Sequence, residues 1–234
     1  QTCALPILPL ATLAGGAAVT TLAWYGVQGQ VHGSEQLRFE RLNERVVAST
    51  QARIASAAQL LVSLRAAILS GAAVTPAAWA EYVAATDSYF QEGVVGAGFV
   101  ERVPRADLAR LEARLRYEHG HPVPIERTGT GDTMYVVTRI EPAARNAGAL
   151  GLDVGSGVTR RQAAELAMRT NHAVLTQRIR VIEADREIPG FLLFLPLYAR
   201  GAPAATPAER EAALTGWVYA SLRMDDLMRG LADV

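Results

Sequence analysis

Apolar and polar positions fall into three rhythms along this chain. From Gln1 to Ser34 there is no Asp, Glu, Lys or Arg. Within that run Ala4 to Val27 is long enough to cross a bilayer, which takes about 20 apolar residues. Trp24 and Tyr25 stand near its end, where interfacial aromatic anchors belong. Pro6 and Pro9 are confined to the first turns, and Gly15-Gly16 is tolerable in a membrane helix. A cleaved signal peptide has a related pattern; the aromatic end and the charged helix straight after it favour a retained anchor. Glu35 to Leu69 then has no Pro or Gly and reads as one long helix. Leu42, Val46, Ile54, Ala57, Leu61, Leu64 and Ile68 mark one apolar seam, with heptad steps from Ile54 onward. Such a seam serves equally to pack the helix on its own domain or to join two copies.

After Gly71 the rhythm shortens. Thr75-Pro76 opens a helix with a cap and Pro at the first position. Gly93 to Val103 reads as a strand, with Gly96 and Gly98 giving close access to another backbone or a ligand. Asp107 caps a helix with Leu108, Leu111 and Leu115 on one face. Met134 to Ile140 is a strand ended by Glu141-Pro142. Thr159 and Gln162 have capping-box spacing for a helix that Asn171 stops. Three strands follow as a meander, Ala173 to Ile182, Gly190 to Tyr198 and Thr215 to Leu222, with an exposed Pro/Ala-rich loop from Ala199 to Glu211. Asp225 or Asp226 starts a last short helix. The order predicts an α+β fold: an antiparallel sheet of about five strands with helices over one face.

Composition narrows the function. The formal net charge is zero and the pI about 7.1, so there is no electrostatic case for nucleic acid. Every basic residue is Arg, in keeping with a GC-rich coding sequence. Cys3 is the single cysteine, which excludes an internal disulfide. Candidate chemistry concentrates between Gly148 and Tyr198, where Asp153 sits on a Gly-rich turn before a helix and a very apolar strand. A carboxylate against an apolar pocket needs a donor, supplied by a ligand N–H or by Arg160 or Arg161. Leu193, Leu195 and Leu197 alternate with Phe194, so one set faces a pocket or simply the core. His119-Gly-His121 lacks a third ligand nearby in sequence, and no metal or cofactor is expected. Val154-Gly-Ser156-Gly is not a nucleophile elbow, since Asp153 replaces its first Gly. Gly129-Thr-Gly-Asp132 is an ordinary turn, with no Lys following.

Gly98-Phe-Val-Glu-Arg-Val-Pro104, Tyr135 through Glu141-Pro142, Asn146, Gly151-Leu-Asp153, Arg160-Arg161-x-Ala163, Ala173-Val-Leu-Thr176, Phe194-Leu-Pro196-Leu-Tyr198 and Gly216-Trp217-Val218 occur in one order. Together they resemble the CHASE domain, the extracellular sensor of bacterial histidine kinases, diguanylate cyclases and plant cytokinin receptors. The resemblance covers roughly Glu35 to Leu231. It implies a PAS-like sheet on a long stalk helix that rises from a transmembrane helix. It also implies that Asp153 hydrogen-bonds a small-molecule ligand and that the main chain at Leu175 contacts it. Asp153, Leu175, Thr176, Tyr135 and Leu195 are the expected ligand-binding residues. Ala184 stands where the plant receptors have a threonine, which speaks against a cytokinin. The expected organisation is an anchor over residues 1–34, with 4–27 in the bilayer, and a sensor domain over 35–234. Within the latter, 35–70 is the stalk and 93–222 the ligand-binding part. The chain is expected to be an inner-membrane protein with a periplasmic domain, homodimeric through its stalk, and a piece of a longer receptor lacking its output domain. The alternative is an anchored periplasmic hydrolase using His119, His121 and Asp153, against which the lack of a nucleophile–base pair weighs.

Overall fold

The structure, a computed structural model, describes residues 7–73, 75–90, 93–184 and 186–229; along the first helix, side chains are described at 13, 15–22, 24 and from 43 onward. The chain divides into two units, one of Gln1–Ser49 together with Val234 and the other Thr50–Asp233. Helix α1 (Ile7–Ser70) contributes to both. Anchor and stalk, expected as two helices, are one. No Pro falls between them, and a lone Gly such as Gly33 costs a helix only about 1 kcal/mol. Ala4 to Pro6 and the side chains of Tyr25 and Leu42 lie outside the described residues.

In the first unit the apolar run carries its large side chains outward: Leu13, Val19, Leu22 and Trp24 are 66–75 % exposed. The hydroxyls of Thr20 and Thr21 donate back to the carbonyls of Gly16 and Ala17, at 2.8 and 2.7 Å. A helix in hydrocarbon must satisfy its polar groups internally in this way. By length and hydropathy alone Asn43–Ser70, at mean hydropathy 1.4, would also span a bilayer. There, however, Ala57, Leu60, Leu61, Leu64 and Ala67 are buried in a protein core. Packing therefore separates the two stretches: the one that passes by hydropathy is the one partly buried in the core of the second unit.

The second unit is built on one antiparallel sheet. Its strands are β1 (Val94–Pro104), β2 (Thr133–Glu141), β3 (Val174–Leu175), β4 (Ile179–Glu183), β5 (Arg186–Tyr198) and β6 (Leu214–Arg223), in the order β2-β1-β6-β5-β3, with β4 also on β5. Helices α2 (Pro76–Ala84), α3 (Asp87–Phe90), α4 (Leu108–His119), α5 (Ala143–Asn146), α6 (Val158–Thr170), α7 (Pro207–Ala213) and α8 (Met224–Leu227) surround it. Pro196 sits inside β5 without disrupting it. Its carbonyl points away from β6 to accept from Arg65 Nη1 at 3.4 Å, so the N–H it lacks also faces the unpaired edge beyond β3.

Period-two alternation buries both faces of the sheet, where cover on one face is expected from sequence. Leu193, Leu195, Leu197, Val218 and Ala220 join Leu60, Leu61 and Leu64 of α1 and Trp79 of α2. Phe194, Leu192, Trp217 and Tyr219 point the other way and join Ala163, Ala164 and Ala167 of α6. A bulge opposite Phe99/Val100 puts an extra residue in β2, so that Val137 and Ile140 reach the same core. Leu108, Leu111 and Leu115 of α4 cover the far end of β2 in a third cluster. The α1 seam expected from sequence is thus largely intramolecular: Ala57, Leu61 and Leu64 are buried, with Ile54 and Ile68 packed beside them.

Local signals explain the ends. Gly71, at φ +86°, closes α1 in a Schellman turn, with Ala72 N donating to Ala67 O and Gly71 N to Ile68 O. Thr75 caps α2 by accepting from Ala78 N at 3.2 Å, and Asn171 stops α6 at φ +56°. Three expectations change. The strand read over 173–182 splits at Thr176, whose hydroxyl occupies the N–H of Leu192 at 3.0 Å. The loop read over 199–211 contains α7, begun by a complete capping box of Thr206 and Glu209. Helix α6 starts at Val158 behind Gly157, so Thr159 is inside it rather than its cap.

Leu64→Ala should cost about 2–5 kcal/mol, the range for emptying a fully buried leucine site. Tyr117→Ala, at a position 89 % exposed, should change stability by less than about 0.5 kcal/mol. Urea unfolding of the two variants measures the difference.

Candidate ligand-binding site

On the α6 side of the sheet, the segment between β2 and α6 folds back along the exposed edge of β2. Gly151 N donates to Val137 O and Val137 N to Leu152 O, both at 2.9 Å, and Asp153 bridges Val136. The segment thereby blunts the free edge of β2. Trp217 Nε1–H donates to Ala164 O at 2.8 Å and Tyr198 Oη–H to Met168 O at 2.6 Å, fixing α6 beside it.

A small cavity of about 40 Å³ remains beneath this cover. Val137, Ile140, Leu192 and Tyr219 form its floor on the sheet, and Ala149, Leu152 and Val154 its roof. Val181 of β4 closes one side, while Arg160 and Arg180 stand at the rim, with Arg160 Nη2 donating to Arg180 O at 2.7 Å. The volume holds a few water molecules at the roughly 10–15 Å³ each needs. The polar residues that line it are Ser221, whose hydroxyl donates to Gly96 O at 3.3 Å, and Tyr219. Burial pushes the Tyr219 phenol far above the ordinary tyrosine range, so it serves as a neutral hydrogen-bonding group.

Asp153 is buried but does not line this cavity. Its backbone is extended, and its neighbours Leu152 and Val154 both face the cavity, so the carboxylate points to the opposite side. Oδ1 accepts from the main-chain N–H groups of Tyr135 and Gly155, each at 2.9 Å. Oδ2 is buried without a hydrogen-bond partner, against Gly129. The donors expected for it lie elsewhere. Arg161 Nε donates to Gly155 O at 2.7 Å, and its guanidinium lies 4.6 Å from the centre of the Tyr135 ring.

The other expected site residues serve the framework. Tyr135 packs on Trp217 with ring centroids 4.6 Å apart and donates to Glu165 Oε1 at 3.3 Å. Desolvation, then the nearby Glu165, raises the Tyr135 pKa. Leu195 and Leu175 face the α1 side, and Thr176 is spent on Leu192. Gly98 makes room for the protein's own Tyr219: a Cβ there would overlap the Arg139 carbonyl and the Tyr219 ring. Tyr219 and Leu192 carry no motif of their own in the sequence. Only the register of β1, β6 and β5 brings them under the cover.

Among curated proteins no match is found. Among solved structures the chain is similar to one titled "Methyl-accepting Chemotaxis protein X", with 14 % identity and a TM-score of 0.45. That similarity covers 82 % of this chain and 65 % of the other, so the chain spans just under two thirds of the length of that structure. The CHASE domain model matches residues 72–234, the strands, the cover and the cavity described above. The chain therefore belongs to the CHASE-domain family and is a membrane-associated sensor module.

Proposed function

We propose that this chain is the periplasmic sensing part of a receptor of the histidine kinase or diguanylate cyclase type, with a PAS-like sheet as its ligand platform. The observation that carries this is the shared sheet: Leu192 lines the cavity while Leu193, its neighbour in β5, packs in the α1 core. A guest on one face and the stalk on the other are one residue apart. The ligand is a compact, largely apolar molecule with a hydrogen-bonding group for the Tyr219 hydroxyl. It enters as the cover over 149–154 moves off the sheet, because the closed cavity is too small for anything larger than a few waters. Its effect on signalling equals its preference for the opened state over the closed one.

Asp153 acts in this scheme as the clasp of the cover. It holds the turn at Gly155 and the edge of β2 at Tyr135 through one oxygen, while the other is buried against Gly129 on the side away from the cavity.

The homodimer contact is assigned to a second stripe of α1. Ala52, Ala55, Gln59, Val62, Ala66 and Leu69 step by three and four, carry no charge and are solvent-exposed, opposite the seam that packs on the sheet.

A compound that raises the melting temperature of the parent should be recovered unchanged, and Val181→Phe, which fills the cavity, should abolish the shift. Turnover of the compound, or an undiminished shift in that variant, would reject the sensor site. Asp153→Ala should lose on the order of 2 kcal/mol, since two buried N–H groups lose their acceptor, whereas Asp153→Asn should lose clearly less. Urea unfolding, with amide exchange at Tyr135 and Gly155, reads both. In a Cys3→Ser background Val62→Cys should cross-link between copies and Leu64→Cys should not; the reverse pattern would move the dimer contact.

A further inference from the structure

A second cavity, of about 190 Å³, lies at the opposite end of β2 from the Asp153 clasp, between α2 and the end of α4. Its walls bring together Trp79 of α2, His119 at the end of α4, His121 just beyond it, and Arg139 of β2, over an apolar floor of Ile140 and Leu150. Two features set it apart from ordinary surface relief. Trp79 is only 1 % exposed, and its indole N–H is buried without a hydrogen-bond partner, an arrangement that costs about 1–3 kcal/mol unless something accepts the bond. The two imidazoles lie with ring centroids 6.1 Å apart. Each meets a main-chain carbonyl with one nitrogen, His119 Nε2 at Thr138 O (3.3 Å) and His121 Nδ1 at Pro122 O (3.2 Å). Each ring therefore keeps its other nitrogen for a guest, where it becomes a donor on taking up a proton.

The wall thus sets the indole and imidazole nitrogens beside the Arg139 guanidinium. Against them stands Glu141, whose Oε2 is taken up by Ala143 N at 2.7 Å. Burial lowers the Arg139 pKa, with Glu118 and Glu101 raising it and Arg114 lowering it. We propose that this cavity is a binding site for a small carboxylate with an apolar body. Its two oxygens take the indole N–H and the imidazolium of His119 beside Arg139, and its apolar part lies on Ile140 and Leu150.

The site is placed to regulate. Trp79 shares its core with Leu60, Leu61 and Leu64 of α1, and Tyr82, one turn further along α2, donates its hydroxyl to Ser63 O of α1 at 3.3 Å. A carboxylate drawing Trp79 toward it would act on α1 through α2, a route different from β5, although Ile140 lines both cavities and Leu150 belongs to the 149–154 cover.

Calorimetry on the full chain in nanodiscs, with benzoate and its uncharged isostere benzamide as probes, tests this. Benzoate should bind, with proton uptake visible as a dependence of the heat on buffer ionisation, and benzamide should bind at least tenfold more weakly. Trp79→Phe, which keeps an aromatic ring but removes the N–H together with part of the indole, should weaken benzoate about tenfold, as should His119→Gln, with the melting temperature of each variant showing that the fold is kept. Absence of benzoate binding, equal binding of the two probes, or unchanged affinity in both variants would overturn the proposal. So would Zn²⁺ binding to the histidine pair that benzoate does not displace.

Discussion

The alternation of side chains along β5 is the constraint on which the rest of this domain depends. Thirteen residues of one strand feed two cores at once, Leu193, Leu195 and Leu197 toward α1 and Leu192 and Phe194 toward α6. A one-residue slip would exchange the two sets and unmake both cores, so register is held from either side. Thr176 binds the main chain of Leu192 with both its N–H and its hydroxyl oxygen, and nine residue pairs tie β5 to β6. Close-packed interiors do not deform smoothly. A change of volume on one face is therefore felt on the other, which is what a sensor with its guest on one side and its stalk on the other requires.

The two faces are not equally committed. On the α1 side leucine packs on leucine and tryptophan, with Leu60, Leu61 and Leu64 essentially inaccessible. On the α6 side the cover is held mainly by polar groups: two main-chain bonds to Val137, one from Glu126 N to Gly151 O at 3.0 Å, the Asp153 clasp, and Asn146, whose Nδ2 donates to Val95 O and Pro142 O at 3.0 Å. Two acceptors on this cover, Asp153 Oδ2 and Asn146 Oδ1, are buried without a partner. An element that leaves buried acceptors unmet sits closer in free energy to an opened form than the leucine-lined face does.

Much of the architecture was legible in the amino-acid order. The long helix, the Leu108/Leu111/Leu115 face, the Thr75 cap and the Asn171 stop each follow from local rules and stand where those rules put them. What escaped was set by distance along the chain. Nothing local says that Gly98 clears space for Tyr219, or that Leu192 rather than Leu195 faces a cavity, because both depend on strand register. The same holds for Asp153: its place on a Gly-rich turn is readable, but the side it faces is decided by its bridge to Val136. Helix α7 was hidden for another reason. The Pro/Ala-rich composition around it outweighed the Thr206-Pro-Ala-Glu209 cap, which was there to be read.

The central claim is that the sheet couples the cavity to the stalk, and hydrogen exchange reads this most directly. Protection should be compared by mass spectrometry between the parent and an Ala149→Leu variant that overfills the roof of the cavity. The account predicts altered exchange over residues 54–68 of α1, on the far face of the sheet, as well as over the cover. Changes confined to the cover and α6, with α1 untouched, would contradict it.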